Sequence, residues 1–437
     1  MAKKVAACTL GCKVNSYDTD AMVALFKAKG YERVDFSEQA DIVIINTCTV
    51  TNLSSKKSRQ MIRKARGLNA DALVVAVGCY AQAAPDEVAA IPGVDLVLGA
   101  KDRKNIVAEV ERYTRAQGVY NGVSDVMGET EYEELCASSI DSRTRAYLKI
   151  QDGCSQFCAY CIIPHVRGPV RSRRPADILA EAWQFAAMDG GGKEIVLTGI
   201  HVASYGKDLD GTDLCSVVQG VHAINGIARI RFGSLDPVLI DASFVAAISQ
   251  LPKICDHFHL SLQSGCDKTL RRMNRPYTTA QYANAAALLR SAFPHVALTT
   301  DIIVGFPGET GEDFAESLSF VREMAFAKLH VFPYSPKMGT PAATFPDQVE
   351  TAVKNARAKK MAVLGEKMAA QFASSMIGKT VPVLYESCIN GNSYVGHTSN
   401  YITVTAEAES NIAGEIVQTL LGTCDGEGIV GTIVTSF

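Results

Sequence analysis

Cys154, Cys158 and Cys161 form a C-x3-C-x2-C triplet inside the stretch QDGCSQFCAYC, and the rest of the chain has to be read around that loop. Three thiolates on one short loop hold three irons of a [4Fe–4S] cluster. The fourth iron is left open to bind and reduce a small molecule. A zinc knuckle is the competing reading. Structural zinc takes four ligands in paired spacings, and the next histidine, His165, follows Pro164, which limits how the loop can wrap.

The surroundings of the triplet indicate a barrel. Residues 143–345 contain six strand candidates: RAYLKI, EIVLTGI, RIRFGSL, HFHLSLQ, ALTTDIIVGF and KLHVFPYS. Helical stretches such as 176–188 and 281–291 separate them. Six βα units in series imply a complete or partial (β/α)6 barrel, with the triplet after its first strand, at the face where barrel active sites are built.

Residues 1–118 repeat a strand–helix pattern through KVAACTL, DIVIINTC, ALVVAVGC and VDLVLGA, as in a doubly wound parallel α/β sheet. Residues 101–116 read as a charged helix, and the acidic stretch 119–142 as a linker. Residues 346–376 read as a helical connector. Residues 377–437 alternate in short runs with Gly and Asn turns, as in a small all-β barrel.

At 437 residues with 47% hydrophobic composition the chain has material for two or three cores. Its net charge of −3 excludes a global pull toward nucleic acid, so any RNA surface must be a local patch. The amino terminus lacks a long apolar segment and no stretch reaches transmembrane length, so a cytoplasmic location without membrane contact is expected. There, thirteen cysteines read as thiols and metal ligands, not disulfides.

Cys12, Cys48 and Cys79 form a second set. Each lies at the end of a predicted strand or in the loop after it, at intervals of one βα unit. In an open parallel sheet these ends meet at the carboxyl edge, so three thiols remote in sequence converge. The competing reading is that cysteine is a common small buried hydrophobe.

Taken in order, TLGCKVNSYDTD, INTCTVTNLSSKKSRQ, AVGCYAQ, QDGCSQFCAYCIIPHVRG, GGKEIVLTGIHVASYG, HLSLQSGCDKTLRRMNRPYT, TDIIVGFPGET and FPYSPKMGTPA resemble the radical S-adenosylmethionine (SAM) methylthiotransferase family over nearly the whole chain. The opening motif is most similar to the MtaB type, which methylthiolates C2 of N6-threonylcarbamoyladenosine beside the tRNA anticodon. The alternatives are the type that acts on isopentenyladenosine, usually GCQMN here, and the type that acts on a ribosomal-protein aspartate, usually GCPKN. Lys13 and Val14 depart from both. A less favoured reading is a two-cluster electron-transfer or sulfur-carrier protein without radical chemistry.

The resemblance implies two [4Fe–4S] clusters, one on each cysteine triad, and a C-terminal TRAM domain. SAM on the Cys154–Cys158–Cys161 cluster is the radical source, and the Cys12–Cys48–Cys79 cluster carries the sulfur to be methylated and transferred. It also implies that Gly191, Gly192 and Glu194 hold the SAM methionine ammonium and that Tyr160 meets the adenine. Thr198, Ser234, Gln263 and Asp301, near strand ends, are weaker SAM or substrate candidates, with core hydrogen bonding as the alternative. A small one-electron donor such as a flavodoxin or ferredoxin is implied, and a monomer is expected.

For tRNA, the candidates are Lys56, Arg59 and Arg63 on one predicted helix, then Arg167, Arg171, Arg173 and Arg174 after the triplet, and Arg271, Arg272 and Arg275 further on. The C-terminal segment is acidic. It would have to meet RNA through Tyr394, His397, Asn400 and Tyr401, or else contact mainly the protein body.

Overall fold

The run IVIINT is buried at every position and can only sit where both faces of a sheet are covered. The computed structural model describes residues 2–137, 144–188, 192–426 and 428–434. In it this run is β3 (Ile42–Thr47), flanked in sequence by β1 (Lys4–Thr9), β2 (Glu32–Val34), β4 (Leu73–Gly78), β5 (Leu96–Val97) and β6 (Tyr120–Asn121). The sheet order is β2-β1-β3-β4-β5-β6, parallel throughout.

Helix α1 (Lys13–Ala28) packs Met22 and Phe26 on one face of this sheet, and α2 (Asn52–Leu68) packs Ile62 and Ala65 on the other. The sheet extends further than its sequence pattern indicates, because β6 falls in the stretch read as linker. The charged helix expected over 101–116 is shorter, Ile106–Arg112, between 3-10 turns at Arg103–Asn105 and Arg115–Gln117.

The second unit comprises β7 (Arg145–Asp152), β8 (Arg171–Ser172), β9 (Glu194–Gly199), β10 (Arg229–Phe232), β11 (Ser234–Leu235), β12 (His257–Leu260), β13 (Ala297–Val304) and β14 (Lys328–Pro333). They pair as β8-β7-β9-β10 and β11-β12-β13-β14, and an isolated Ile230–Ile254 bridge links the two sheets. All pairs are parallel except β7–β8, whose connection carries the cysteine triplet. Together they form a partial α/β barrel.

Alternate residues point to opposite faces of each strand. Leu148, Leu197, Phe258, Leu260, Leu298 and Ile302 enter the outer apolar core under the helices. The intervening residues face the lumen, and many are polar: Arg145, Lys149, Glu194, Arg231, His257, His259, Thr299, Asp301 and His330.

The helix Thr351–Ser374 packs beside β14 and leads to β15 (Thr380–Asn390), β16 (Ser393–Thr398), β17 (Thr403–Glu407), β18 (Ile416–Asp425) and β19 (Gly428–Ile433). These close into a TRAM-like five-stranded barrel, β15-β16-β17-β19-β18. Among the described residues no helix is long and apolar enough to cross a membrane.

Candidate active site

The triplet loop is pinned on both sides. Cys154 N donates to Gly168 O at 3.0 Å, and Ala159 N donates to Met273 O at 2.9 Å. Gly153, at φ +74°, precedes the first cysteine, and a Cβ there would lie 1.8 Å from Pro169 O, so no other residue fits. Burial pushes the Cys161 thiol up to about 12 against the pull of a backbone N–H. It raises Cys154 as well. Arg275 Nη1 donates to Cys158 Sγ at 3.2 Å, and its Nη2 bonds Asp236 at 2.8 Å.

The second set gathers at the carboxyl edge of the first sheet. Cys12 caps the start of α1, Cys48 directly follows β3, and Cys79 directly follows β4. Gly11 packs so closely on Cys48 that an added Cβ would lie 3.0 Å from its Sγ. Burial raises the Cys12 and Cys48 thiols, and each also feels Cys79. Cys12 is open to solvent yet surrounded by protein, as a residue on a cleft floor is. Cys79 packs against Ile162 and Val166, which follow the triplet.

Arg167 joins the two sets. It is fully buried. Its Nε donates to Cys79 Sγ at 3.3 Å, and its Nη1 reaches Asp18 at 2.8 Å and Asp152 at 3.2 Å. Asp152 directly precedes Gly153 and the triplet, and Asp18 lies on α1 after Cys12. Lys149 and Arg103 complete the group. Burial alone would raise both carboxyls. The Arg103, Lys149 and Arg167 cations instead hold Asp18 below its ordinary range and Asp152 well below it.

Glu133 also pairs with Arg103 at 2.9 Å, so three carboxylates answer the three cations, and Arg167 is the member of the group that reaches Cys79. Each cysteine set therefore fits an iron–sulfur cluster by its donors: three thiols, one N–H directed at a sulfur, and a cationic neighbour. For SAM, the buried His201 Nε2, just after β9 at the barrel's carboxyl end, makes no hydrogen bond among the described residues and lies 3.6 Å from the Asp236 carboxylate.

The sequence patterns that define known families match in the same order. Residues 4–99 match uncharacterized protein family UPF0004, and residues 148–321 match the radical SAM superfamily. The threonylcarbamoyladenosine tRNA methylthiotransferase MtaB of Bacillus subtilis is 43% identical over 95% of this chain and 92% of its own. The tRNA-2-methylthio-N(6)-dimethylallyladenosine synthase of Desulfitobacterium hafniense is 34% identical over 96% and 95%. The chain belongs to the radical SAM tRNA methylthiotransferases. The methyltransferase TsrM from Kitasatospora setae shares the fold, with a TM-score of 0.56 at 16% identity over 78% of this chain and 77% of its own.

The other residues expected to serve this methylthiotransferase are placed unevenly. Tyr160 packs edge-on to Phe306 at the mouth. Thr198 is buried near the end of β9, Ser234 is exposed, and Gln263 bonds the Asp301 backbone at 2.9 Å.

The glycine-run expectation is corrected. Gly191 lies outside the described residues. Gly192 turns the chain before β9, where a Cβ would lie 2.1 Å from Phe185 O. Glu194 begins β9, roughly 16 Å of strand from the mouth at about 3.3 Å per residue. It is sealed there with Arg231 at 2.7 Å and Arg145 at 2.8 Å. Burial would raise its carboxyl, but Arg231, Arg145 and Arg229 hold it at about 2. Its role is structural. The residues that do follow β9, including His201, were missed. Their position after a strand was the available signal.

The arginine run is also corrected. Arg167 and Arg173 are buried, Arg173 pairing with Glu181 and Glu134. Arg171 is buried against the Arg167 backbone, Arg275 serves Cys158, and Arg272 bonds Pro307 O at 3.0 Å. Arg59 pairs with Glu87. Lys56, Arg63, Arg174 and Arg271 are exposed.

Tyr401 is 41% exposed, and the protein body fixes its ring. Its ring stacks on His397 and lies under the Arg145 and Arg231 guanidiniums at 5.0 and 4.6 Å. Tyr394 and Asn400 are buried. Asp18, Asp152 and Asn15, whose Oδ1 accepts from Arg167 Nη2, were missed, since their partners are remote in sequence.

Proposed function

We propose that the chain methylthiolates C2 of N6-threonylcarbamoyladenosine in tRNA, using one [4Fe–4S] cluster on Cys154, Cys158 and Cys161 and a second on Cys12, Cys48 and Cys79. The observation that carries the two-cluster reading is Arg167, which leaves the segment after the triplet and hydrogen-bonds Cys79. Bound clusters would supply the electron that cleaves SAM and the sulfur that is transferred.

The chain's own residues do the positioning. Arg275 donates to a triplet sulfur and Arg167 to a sulfur of the other set, so each set is held from the barrel side. The buried Asp18–Asp152–Arg103–Lys149–Arg167 group excludes water from the junction. The substrate assignment is supported by the 43% identity to an MtaB protein. Isopentenyladenosine is the second reading, favoured by relatives such as the 34% identical synthase. A flavodoxin-like or ferredoxin-like donor, a monomeric state and a cytoplasmic location belong to the same proposal.

The test is anaerobic reconstitution followed by nucleoside mass spectrometry. About eight irons per chain are expected, falling to about four when the triplet is changed to alanine. SAM and dithionite should give 5′-deoxyadenosine, and tRNA carrying threonylcarbamoyladenosine should gain a methylthio group. A chain that holds only four irons, or that modifies isopentenyladenosine alone, refutes the corresponding part.

A further inference from the structure

The barrel lumen below the triplet is lined by charge. Ile303 packs with Tyr160 and Phe306 at the mouth. One alternation deeper on the same strand, roughly 7 Å down, is Asp301, paired in register with His330 on β14. His259, on the neighbouring strand, places Nε2 3.3 Å from Asp301 and Nδ1 3.0 Å from Thr299 Oγ1. The His259 and His330 rings are 5.8 Å apart. On the same face of β12 lies His257, whose buried Nδ1 has no partner among the described residues. At the floor are Arg145, Arg231 and Glu194.

Lys13 follows Cys12 at the start of α1 and is exposed, so it stands at the rim between the Cys12 set and the barrel mouth. The floor group of Arg145, Arg231, Glu194 and Glu386 is paired within itself, which leaves Asp301, His259 and His330 facing the upper lumen with Lys13 at its rim. An apolar isopentenyl group would strip water from these groups and return nothing. A substituent with a carboxylate, a hydroxyl and a carbamoyl N–H would satisfy them.

We propose that this lumen receives the N6 substituent of the target adenine, with Lys13 and His330 taking its carboxylate and the Asp301–His259 pair accepting and donating to its hydroxyl and carbamoyl groups. The proposal rests on the threonylcarbamoyladenosine reading and deepens it by naming the residues that select the substrate.

The test compares wild type, His330→Leu, His330→Gln and Lys13→Leu, each reconstituted and matched for iron content. Substrates are one tRNA bearing either threonylcarbamoyladenosine or isopentenyladenosine. A lost charge-assisted hydrogen bond should raise the KM for the threonylcarbamoyl tRNA about 10-fold or more. The KM for SAM should not move, and His330→Gln should recover part of the loss. The isopentenyl tRNA should be no worse a substrate for the leucine variants than for wild type.

An unchanged KM for the threonylcarbamoyl tRNA in both leucine variants overturns the inference while leaving the substrate reading intact. A raised KM for SAM reassigns the pocket to SAM and also overturns it. His259, Asp301 and His330 offer ligand atoms within 4.8 Å of one another, so a stoichiometric divalent cation lost in His330→Leu would overturn it as well. Wild type active only on the isopentenyl tRNA refutes the substrate reading itself.

Discussion

Replacing Arg167 with methionine tests the junction between the two cysteine sets. The guanidinium is fully buried and bonds Asp18, Asp152 and Cys79. Methionine has similar length and no charge, so the change leaves Asp18 and Asp152 facing Lys149 and an Arg103 that Glu133 also shares. Removing one member of a buried ion group costs about 3–5 kcal/mol. Two cations remain, which points to the lower end, about 3 kcal/mol. At about 2–4 °C per kcal/mol for units of this size, Tm should fall by roughly 6–12 °C.

The assay is a thermal melt of iron-free protein at pH 7.5. Arg167→Lys keeps the charge but cannot span both carboxylates and the sulfur, so its fall should be intermediate. A Tm change below about 2 °C for Arg167→Met would mean that Asp18 and Asp152 do not depend on it. The linking role given to Arg167 would then fail.

Glu194→Gln should destabilise the barrel and leave the KM for SAM unchanged. A carboxyl held at about 2 instead of 4.5 corresponds to about 3 kcal/mol. Because that pKa is depressed, the stabilisation is present above about 4.5 and is lost as pH falls toward about 2, so melts of wild type and variant should converge over that range. Tyr401→Ala should loosen the TRAM-like barrel, seen as faster protease cleavage between 374 and 380, with little change in tRNA affinity. Lys56→Glu with Arg63→Glu should weaken tRNA binding about equally for all sequences and flatten the salt dependence, measured by filter binding. An unchanged salt slope would remove α2 from the RNA surface.

Fold-level features were legible where one element carries its own pattern. The uninterrupted run IVIINT needs two covered faces, and the six strand candidates of 143–345 recur as parallel strands. Cys48 and Cys79 directly follow β3 and β4 because a βα repeat sets their spacing. Glu194 was misplaced for a reason of register. The strand EIVLTGI was read correctly, but the glycine run that precedes it lies at its amino end, away from the mouth where SAM would bind. Arg167 and Arg173 were misread because a run of arginines carries no record of its partners. Asp18 lies 149 residues from Arg167, and nothing local marks it as buried. The short strand β6 was hidden in an acidic stretch because two residues are too few to show alternation.

The acidity of the C-terminal barrel is reconciled with tRNA binding by where its charges go. Glu386 bonds Arg145 at 2.7 Å and also pairs with His397, while Glu415 bonds Lys193 at 2.5 Å. Arg229 donates to His397 O and Pro382 O, and Arg231 to Ser399 O. These arginines lie at the amino ends of β7 and β10, so the acidic module docks on the barrel floor, opposite the mouth. The eight residues of β7 span roughly 26 Å at about 3.3 Å per residue. Screening at physiological salt acts over about 8 Å. A phosphate approaching the mouth is therefore shielded from the acidic barrel and feels the nearby exposed cations of α2 and Arg271. A net charge of −3 on the whole chain does not oppose that local attraction.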